Sequence, residues 1–235
     1  MRLAGKSVLI TGGTGQLGRV VAEKLVAAEG AKVAASYLFE GELERLSNDF
    51  KKKIRLIYAN VTDEQSVAGL FREVGKAHGN LDILINIAGG YLPRANIAQT
   101  KTKDWDLMME MNLKSVFLCS REFLRETANK TYGRIINMAA MPAITPSAGV
   151  GPYAVSKTGI VALTKVLGEE LKGTGITANA IAPSIIRTPA NMQAMPNEDF
   201  NRWVTPEEIT ETMVFLCSEA GRSINGVTIP VFGGM

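Results

Sequence analysis

Short apolar runs alternate with longer amphipathic ones along the whole chain, a pattern that reads as repeated strand–helix units and therefore as a mostly parallel sheet covered by helices. Seven short runs, at residues 7–10, 32–36, 54–58, 82–85, 134–138, 177–181 and 227–231, are mostly β-branched or Leu-rich, as strands buried on both faces require. The expected fold is a doubly wound α/β sheet of about seven parallel strands with helices on both faces. No break suggests a second domain, so residues 1–235 are expected to form one. Helix punctuation supports the reading. Thr62 with Gln65 predicts a capping box opening the third helix, and Thr205-Pro206-Glu207-Glu208 supplies an N-cap, an N1 proline and an N3 carboxylate.

Composition narrows the chemistry. The 26 Lys and Arg against 23 Asp and Glu leave a net charge of +3, too small and too dispersed to point to nucleic acid as a partner. The run Lys51-Lys52-Lys53 reads as a solvated turn. Two cysteines, Cys119 and Cys217, cannot build a disulfide framework or a Cys-rich metal site, so no metal is expected and a reducing cytoplasm is the expected location. No stretch approaches the roughly 18 apolar residues of a membrane span, and residues 1–7 run into the first strand without a signal peptide, so no membrane partner is expected. The single histidine, His78, stands at a polar helix end and is expected to be solvated, which leaves little room for His-based catalysis.

Turn-forming residues cluster after the strands, at 12–18, 88–93, 142–152 and 183–196. In a doubly wound sheet the loops beyond the carboxyl ends of the strands form the binding crevice. The segment 183–204 is too long for a simple connection, and from about residue 184 it is expected to serve as a mobile lid over a substrate. After the first strand comes Thr11-Gly12-Gly13-Thr14-Gly15-Gln16-Leu17-Gly18, followed by an amphipathic helix from about Gln16 to Glu29. Glycines there let the chain turn sharply and let a phosphate approach the backbone N–H groups, while the helix N-terminus offers partial positive charge. A nucleotide site at Gly12, Thr14, Gly15, Gln16, Leu17 and Gly18 fits better than an ordinary tight turn. The residue that chooses between NAD and NADP is expected near Ser36-Tyr37-Leu38, with Tyr37 at the adenosine end. No acid stands there to repel a 2′-phosphate, and Ser36, Arg19 and Arg45 are nearby, which tilts the expectation towards NADP, with NAD the alternative.

Tyr153 and Lys157 stand at i and i+4, on one face of the helix that continues through Leu163 to Leu171. A phenol, with a reference pKa of about 10, is a poor acid at neutral pH, and a nearby ammonium stabilises its phenolate. Tyr153 then qualifies as the proton donor to a carbonyl or imine that receives hydride.

These residues resemble the short-chain dehydrogenase/reductase family over essentially the whole chain. The match includes the glycine turn, Asn60-Val61, Asn86-Ile87-Ala88-Gly89, Asn112, Tyr153-x-x-x-Lys157, Asn179-Ala-Ile-Ala-Pro183, Thr188, and Asn225-Gly226 through Gly233-Gly234. The resemblance implies a single Rossmann-type domain, a nicotinamide cofactor, Tyr153 as acid or base, and Lys157 both binding the nicotinamide ribose and lowering the Tyr153 pKa. It implies that Asn112 holds a water in a proton relay. It places Asn60 and Val61 at adenine, and Asn86, Ala88 and Gly89 along the cofactor. Ile186 and Thr188 fall at the carboxamide and phosphates, with Pro183 beside them. The helix carrying Trp105 and Met108 to Met111 packs between subunits in the family, which implies a homo-oligomer, a tetramer or dimer.

Two departures stand out. The family's substrate-orienting serine lies thirteen residues before the tyrosine, where this chain has Ala140, and Gln16 replaces a glycine. Losing such a hydrogen-bond donor costs an ordinary ketone reduction about 2 to 4 kcal/mol of transition-state stabilisation, unless Ser147 or Thr145 substitutes. Both departures, the doubled Gly89-Gly90 and the stretch 188–203 resemble the dihydropteridine reductase branch, whose substrate is a quinonoid pterin; Met192 and Trp203 are then candidates to line a flat pocket, together with Ala140 and Ser147. The expected function is NAD(P)-dependent hydride transfer to a small carbonyl or imine. The alternatives are reduction of a quinonoid pterin and a dinucleotide-binding regulatory protein that has lost catalysis.

Overall fold

A computed structural model describes residues 2–128 and 130–235. Its first half runs β1 (Ser7–Thr11), α1 (Gln16–Ala27), β2 (Lys32–Tyr37), α2 (Gly41–Glu44), α3 (Asn48–Lys53), β3 (Arg55–Tyr58), α4 (Glu64–His78) and β4 (Ile83–Asn86). The second half runs α5 (Thr102–Met108), α6 (Ser115–Thr127), β5 (Gly133–Met138), α7 (Gly151–Glu170), β6 (Ile176–Pro183), α8 (Pro189–Ala194), α9 (Pro206–Cys217) and β7 (Thr228–Val231). The seven strands form one sheet in the order β3-β2-β1-β4-β5-β6-β7, every neighbouring pair parallel. The order reverses beside β1, which is where a doubly wound sheet opens its crevice.

Alternation along each strand sorts the core into two layers. Val8, Ile10, Ile83, Ile85 and Ile136 pack with Leu17, Val21 and Leu25 of α1 and with Ile209, Met213 and Val214 of α9. Leu9, Leu84, Ile135 and Ala178 face the other way, onto Val67, Leu70 and Phe71 of α4, Leu118 and Phe123 of α6, and Leu167 of α7. Helices therefore cover both faces, as the doubly buried strand pattern requires.

The punctuation is met at one helix and corrected at another. Thr205 and Glu208 form a reciprocal capping box on α9. At α4 the cap is Asp63, whose carboxylate accepts from the Ser66 N–H at 2.7 Å. Thr62 is instead drawn back onto Asn60, donating its N–H and its hydroxyl to Asn60 Oδ1 at 3.1 and 2.8 Å. An Asx-type turn has outcompeted the capping box one residue earlier. Lys51–53 is solvated as expected, but as the last turn of the helix α3, a placement that suits lysines at a helix C-terminus. His78 does end α4 but is half-buried, with Nδ1 3.1 Å from Ser7 Oγ, and burial lowers its pKa. The segment 183–204 also carries structure of its own, with α8 and a short 3₁₀ turn at Phe200–Arg202. Cys119 and Cys217 are free and buried, their thiol pKa values pushed up to about 12 by burial. Among the described residues no group of His, Cys, Asp or Glu could hold a metal ion, and no helix is long and apolar enough to cross a membrane.

Candidate active site

The chain leaves β1 through Gly12, whose φ of +65° only glycine adopts readily, and whose Cα is so close to the 86–90 loop that a Cβ there would lie 2.9 Å from Ala88 Cα. A Cβ on Gly18 would sit 2.4 Å from the Gly12 carbonyl oxygen, so the first turn of α1 lies directly on the glycine turn. The turn is fastened from beneath: Ser36 accepts from Gly12 N–H through its hydroxyl at 3.1 Å and from Gly13 N–H through its carbonyl at 3.2 Å. Helix α1 begins after Gly15 with no side-chain cap and no acid in its first turn. Its leading N–H groups and dipole are thus left without a capping side chain of the helix's own. An uncapped helix start behind a glycine turn is an arrangement that suits an anionic group such as a pyrophosphate, and Gly12, Thr14, Gly15, Gln16, Leu17 and Gly18 all lie in that turn and the first turn of α1.

Across the crevice stand the groups that could move a proton. Pro152 in the first turn of α7 starts the helix that carries Tyr153 and Lys157. Lys157 is buried, its Nζ 5.9 Å from the Tyr153 ring centroid and donating to the Met138 carbonyl at 2.8 Å. A Cβ on Gly89 would lie 3.6 Å from that Nζ and 2.6 Å from Asn112 Oδ1, so the loop after β4 presses between the two. Asn112 is fully buried within a π-helical segment, Met109–Lys114, between α5 and α6. Such insertions redirect side chains and occur often at functional sites. Asn112 Oδ1 accepts from Gly90 N–H at 2.9 Å, while Nδ2 donates to the Gly90 carbonyl and to Ser156 Oγ, both at 3.1 Å. Its side chain clamps the loop to α7. Burial also changes the expected acid–base picture. It pushes the Tyr153 pKa up to about 12, with the Tyr91 ring adding to the rise, and lowers Lys157 to about 8. The Lys157 ammonium is held by the Met138 carbonyl.

Other predicted cofactor residues divide. Ala88 N–H donates to Thr11 Oγ1 at 3.2 Å, which keeps the 86–90 loop beside the glycine turn. Asn86, by contrast, is buried with Nδ2 on Asn137 Oδ1 at 2.9 Å and Ser120 Oγ at 3.4 Å, pointing into the core instead of the crevice. Asn60 is committed to its own turn, and Val61 packs on the α4 layer. Tyr37 ends β2 edge-on to Tyr58, ring centroids 5.9 Å apart, its hydroxyl donating to Glu40 at 3.3 Å. Pro183 closes β6. Beyond it, Ile186 pairs with Val204 and Thr188 caps α8 by accepting from Asn191 N–H.

On the substrate side, Ala140 is 6% exposed and lies in extended backbone two residues beyond β5, just before the 3₁₀ turn Met141–Ala143. Ser147 and Thr145 are exposed, and Ser147 does not line the cavity of about 320 Å³ that adjoins Tyr153. That cavity is bounded by Arg94, Lys101, Asp104, Met108, Val150 and Tyr153, among others. Met192 is partly buried on α8. Trp203 is 3% exposed and packs on Phe200 with centroids 4.9 Å apart, so its ring serves packing instead of facing a ligand. Sequence reasoning missed Tyr91, which meets Tyr153 edge-on at 5.1 Å, and Glu42, whose carboxylate takes the Thr14 hydroxyl proton in a hydrogen bond. Proximity to the strand ends in space was the only signal for either, and spacing along the chain does not carry it.

A crevice at the switch point with a glycine turn on one wall and a Tyr–Lys–Asn cluster on the other defines an NAD(P)-dependent oxidoreductase. A family model described as enoyl-(acyl carrier protein) reductase matches residues 15–235. The 3-oxoacyl-[acyl-carrier-protein] reductase of Aquifex aeolicus is 31% identical, with 100% of this chain and 99% of the relative covered. The protein of the same description from Vibrio cholerae is 33% identical at the same coverage. A short-chain type dehydrogenase/reductase from Mycobacterium ulcerans shares the fold, with a TM-score of 0.93 at 24% identity over 100% of this chain and 90% of that one. This chain belongs to the short-chain dehydrogenase/reductase family.

Proposed function

We propose that this protein transfers hydride between a nicotinamide dinucleotide and a small carbonyl or imine compound, with Tyr153 as proton donor in the reductive direction. The observation that carries the reading is that Asn112 and Lys157, the latter 5.9 Å from the Tyr153 ring centroid, both close on Gly89, in the loop whose Ala88 abuts Gly12 of the glycine turn. The cofactor, held by the glycine turn, supplies the hydride when bound. Tyr153 enters the reaction as a neutral phenol, because burial keeps its pKa near 12. As the electrophilic carbon accepts hydride, its oxygen or nitrogen gains electron density and takes the phenol proton. Lys157 then stabilises the phenolate left behind, a task that pulls Nζ away from Met138. Asn112 keeps Gly90 and α7 in register so that the phenol stays aimed into the crevice.

Ala140 favours a second, narrower reading of the substrate. With no hydroxyl at that position, an electrophile that spreads its developing charge over a conjugated ring loses less than one that concentrates it on a single oxygen. A quinonoid pterin is such an electrophile, whereas the isolated ketone of a 3-oxoacyl group, as named in the relatives, is not. A homo-oligomer built through the face carrying Trp105, Leu107 and Phe117, all exposed in the single chain, belongs to the same proposal.

Oxidation of NADH and NADPH, followed against quinonoid pterins, quinones and 3-oxoacyl thioesters, tests both readings. Turnover that Tyr153→Phe lowers at least a hundredfold is expected. Tight cofactor binding with no turnover on any substrate would instead support a dinucleotide-binding regulatory protein. Ala140→Ser separates the substrate readings: strong activation on thioesters points to a weakened ketone reductase, and little change on pterins to a conjugated substrate.

A further inference from the structure

The strand end after β2 has no acid, yet the fold returns one to the same place. Glu42, in the short helix α2, bonds to both elements that bracket an adenosine ribose in a sheet of this kind. One carboxylate oxygen accepts from the hydroxyl of Thr14 in the glycine turn. The other accepts from the N–H groups of Phe39 at 3.1 Å and Leu38 at 3.4 Å, the residues that follow β2. Thr14 itself is buried, and Gly13 is tied to Ser36 at 3.2 Å, so the glycine turn and the end of β2 are fixed side by side with the Glu42 carboxylate joining them. Tyr37, at the strand end, is turned onto Tyr58 and Glu40. Arg19, a candidate cation at the start of α1, is partly engaged, its Nη1 donating to the Arg45 carbonyl at 3.3 Å while its buried Nε has no partner among the described residues.

We propose that Glu42 selects a dinucleotide with a free ribose 2′-hydroxyl, making the protein specific for NAD(H) over NADP(H). The proposal rests on the crevice binding a nicotinamide dinucleotide, and it reverses the tilt towards NADP that the bare strand end suggests. A carboxylate accepts hydrogen bonds from ribose hydroxyls without a change of charge, but a 2′-phosphate brings like charge against it in a partly desolvated site. The carboxylate's backbone partners also hold it in place, so it cannot swing far to relieve the repulsion.

Equilibrium titration of the purified protein with NADH, NADPH, 5′-AMP and 2′,5′-ADP, read by calorimetry, provides the test. NADH is expected to bind at least tenfold more tightly than NADPH, and 5′-AMP more tightly than 2′,5′-ADP. Glu42→Gln retains an oxygen for the Leu38 and Phe39 N–H groups but removes the charge; it is expected to narrow both ratios about tenfold, chiefly by tightening the phosphorylated ligands. Raising ionic strength is expected to narrow the wild-type ratios in the same direction. Equal or tighter binding of NADPH by the wild type, or ratios that Glu42→Gln leaves unmoved, would overturn the proposal and reduce Glu42 to a loop cap. Failure of all four ligands to bind would instead overturn the dinucleotide reading of the crevice itself.

Discussion

Lys157 donates to the carbonyl oxygen of Met138 at 2.8 Å, so the buried ammonium is tied to the end of β5 while the Tyr153 ring centroid lies 5.9 Å away. Burial lowers its pKa to about 8 and holds Tyr153 near 12, so of the two groups that must be protonated for reduction, Lys157 loses its proton first. As pH rises through about 8 the cation that stabilises the developing phenolate disappears. The reductive kcat/KM is therefore expected to fall on the alkaline side with an apparent pKa near 8. Arginine does not deprotonate in this range, so in Lys157→Arg whatever activity survives should keep its alkaline limb flat. An unchanged limb in that variant would assign the titration to another group.

The same burial predicts a trade between stability and activity. The folded-state pKa of Lys157 lies below its unfolded value of 10.5, so the unfolded chain holds the proton more tightly. The cost of the buried cation is present in full below about pH 8 and is relieved as pH rises from there towards 10.5. A shift of this size corresponds to roughly 3 kcal/mol. Replacing the cation by methionine removes that cost but strands the Met138 carbonyl, at about 1 to 2 kcal/mol. Lys157→Met is thus expected to raise Tm at pH 7 by a few degrees while abolishing turnover. Thermal unfolding at pH 7 and pH 10 checks the sign, because the gain should shrink at the higher pH.

Two glycines of the first turn make a controlled comparison. A methyl group on Gly18 would meet backbone on three sides, with the Gly12 carbonyl oxygen at 2.4 Å and Gly13 Cα at 2.7 Å, and backbone there cannot give way without opening the turn. On Gly15, which is exposed and has an ordinary φ of −69°, the same group would meet only the Gly12 carbonyl oxygen at 3.3 Å. Gly18→Ala should cost about 2 to 3 kcal/mol and dinucleotide binding with it. Gly15→Ala should cost under about 1 kcal/mol. Urea unfolding of the two variants decides between this picture and one in which both glycines serve only as flexible spacers.

The inner strands were legible because strands buried on both faces leave unbroken apolar runs such as Val8-Leu9-Ile10 and Ile83-Leu84-Ile85, and the glycine turn was legible because its steric demands fall on nearby residues. What remained hidden depends on placement in space. Asn86 looked like a crevice residue from its motif, but strand pairing sets it beside Asn137 and turns its side chain into the core. Trp203 looked like a ring for a flat ligand, yet packing with Phe200 buries it. The acid sought at the end of β2 stands in α2, because the intervening turn folds back over Thr14, and residues 38–41 have no periodicity to announce that. The Thr62 capping box failed to a competitor of similar strength one step away, the margin at which local motifs lose their predictive value.

Gln16, where a glycine was expected, reaches 174 positions along the chain, its Oε1 accepting from the N–H of Ala190 in the first turn of α8 at 3.3 Å. The base of the segment that carries α8 is fixed more firmly. Arg187 N–H donates to the Val204 carbonyl at 2.7 Å, Ile186 pairs with Val204, and Trp203 is buried. Motion is therefore expected in the tip, residues 189–200, about a stationary base, with Gln16 as an exposed tie between the tip and the dinucleotide turn. A single hydrogen bond of this kind contributes about 0.5 to 1.5 kcal/mol, enough to change the closed population about two- to tenfold. Gln16→Ala preserves helix propensity at the start of α1 and removes only the tie. Hydrogen exchange in 189–200 should accelerate by that factor, and KM for the substrate should rise with it, while Tm stays within about 1 °C of the wild type. If exchange in the tip is unchanged, the Gln16 contact does not hold the segment, and closure must depend on bound cofactor or substrate instead.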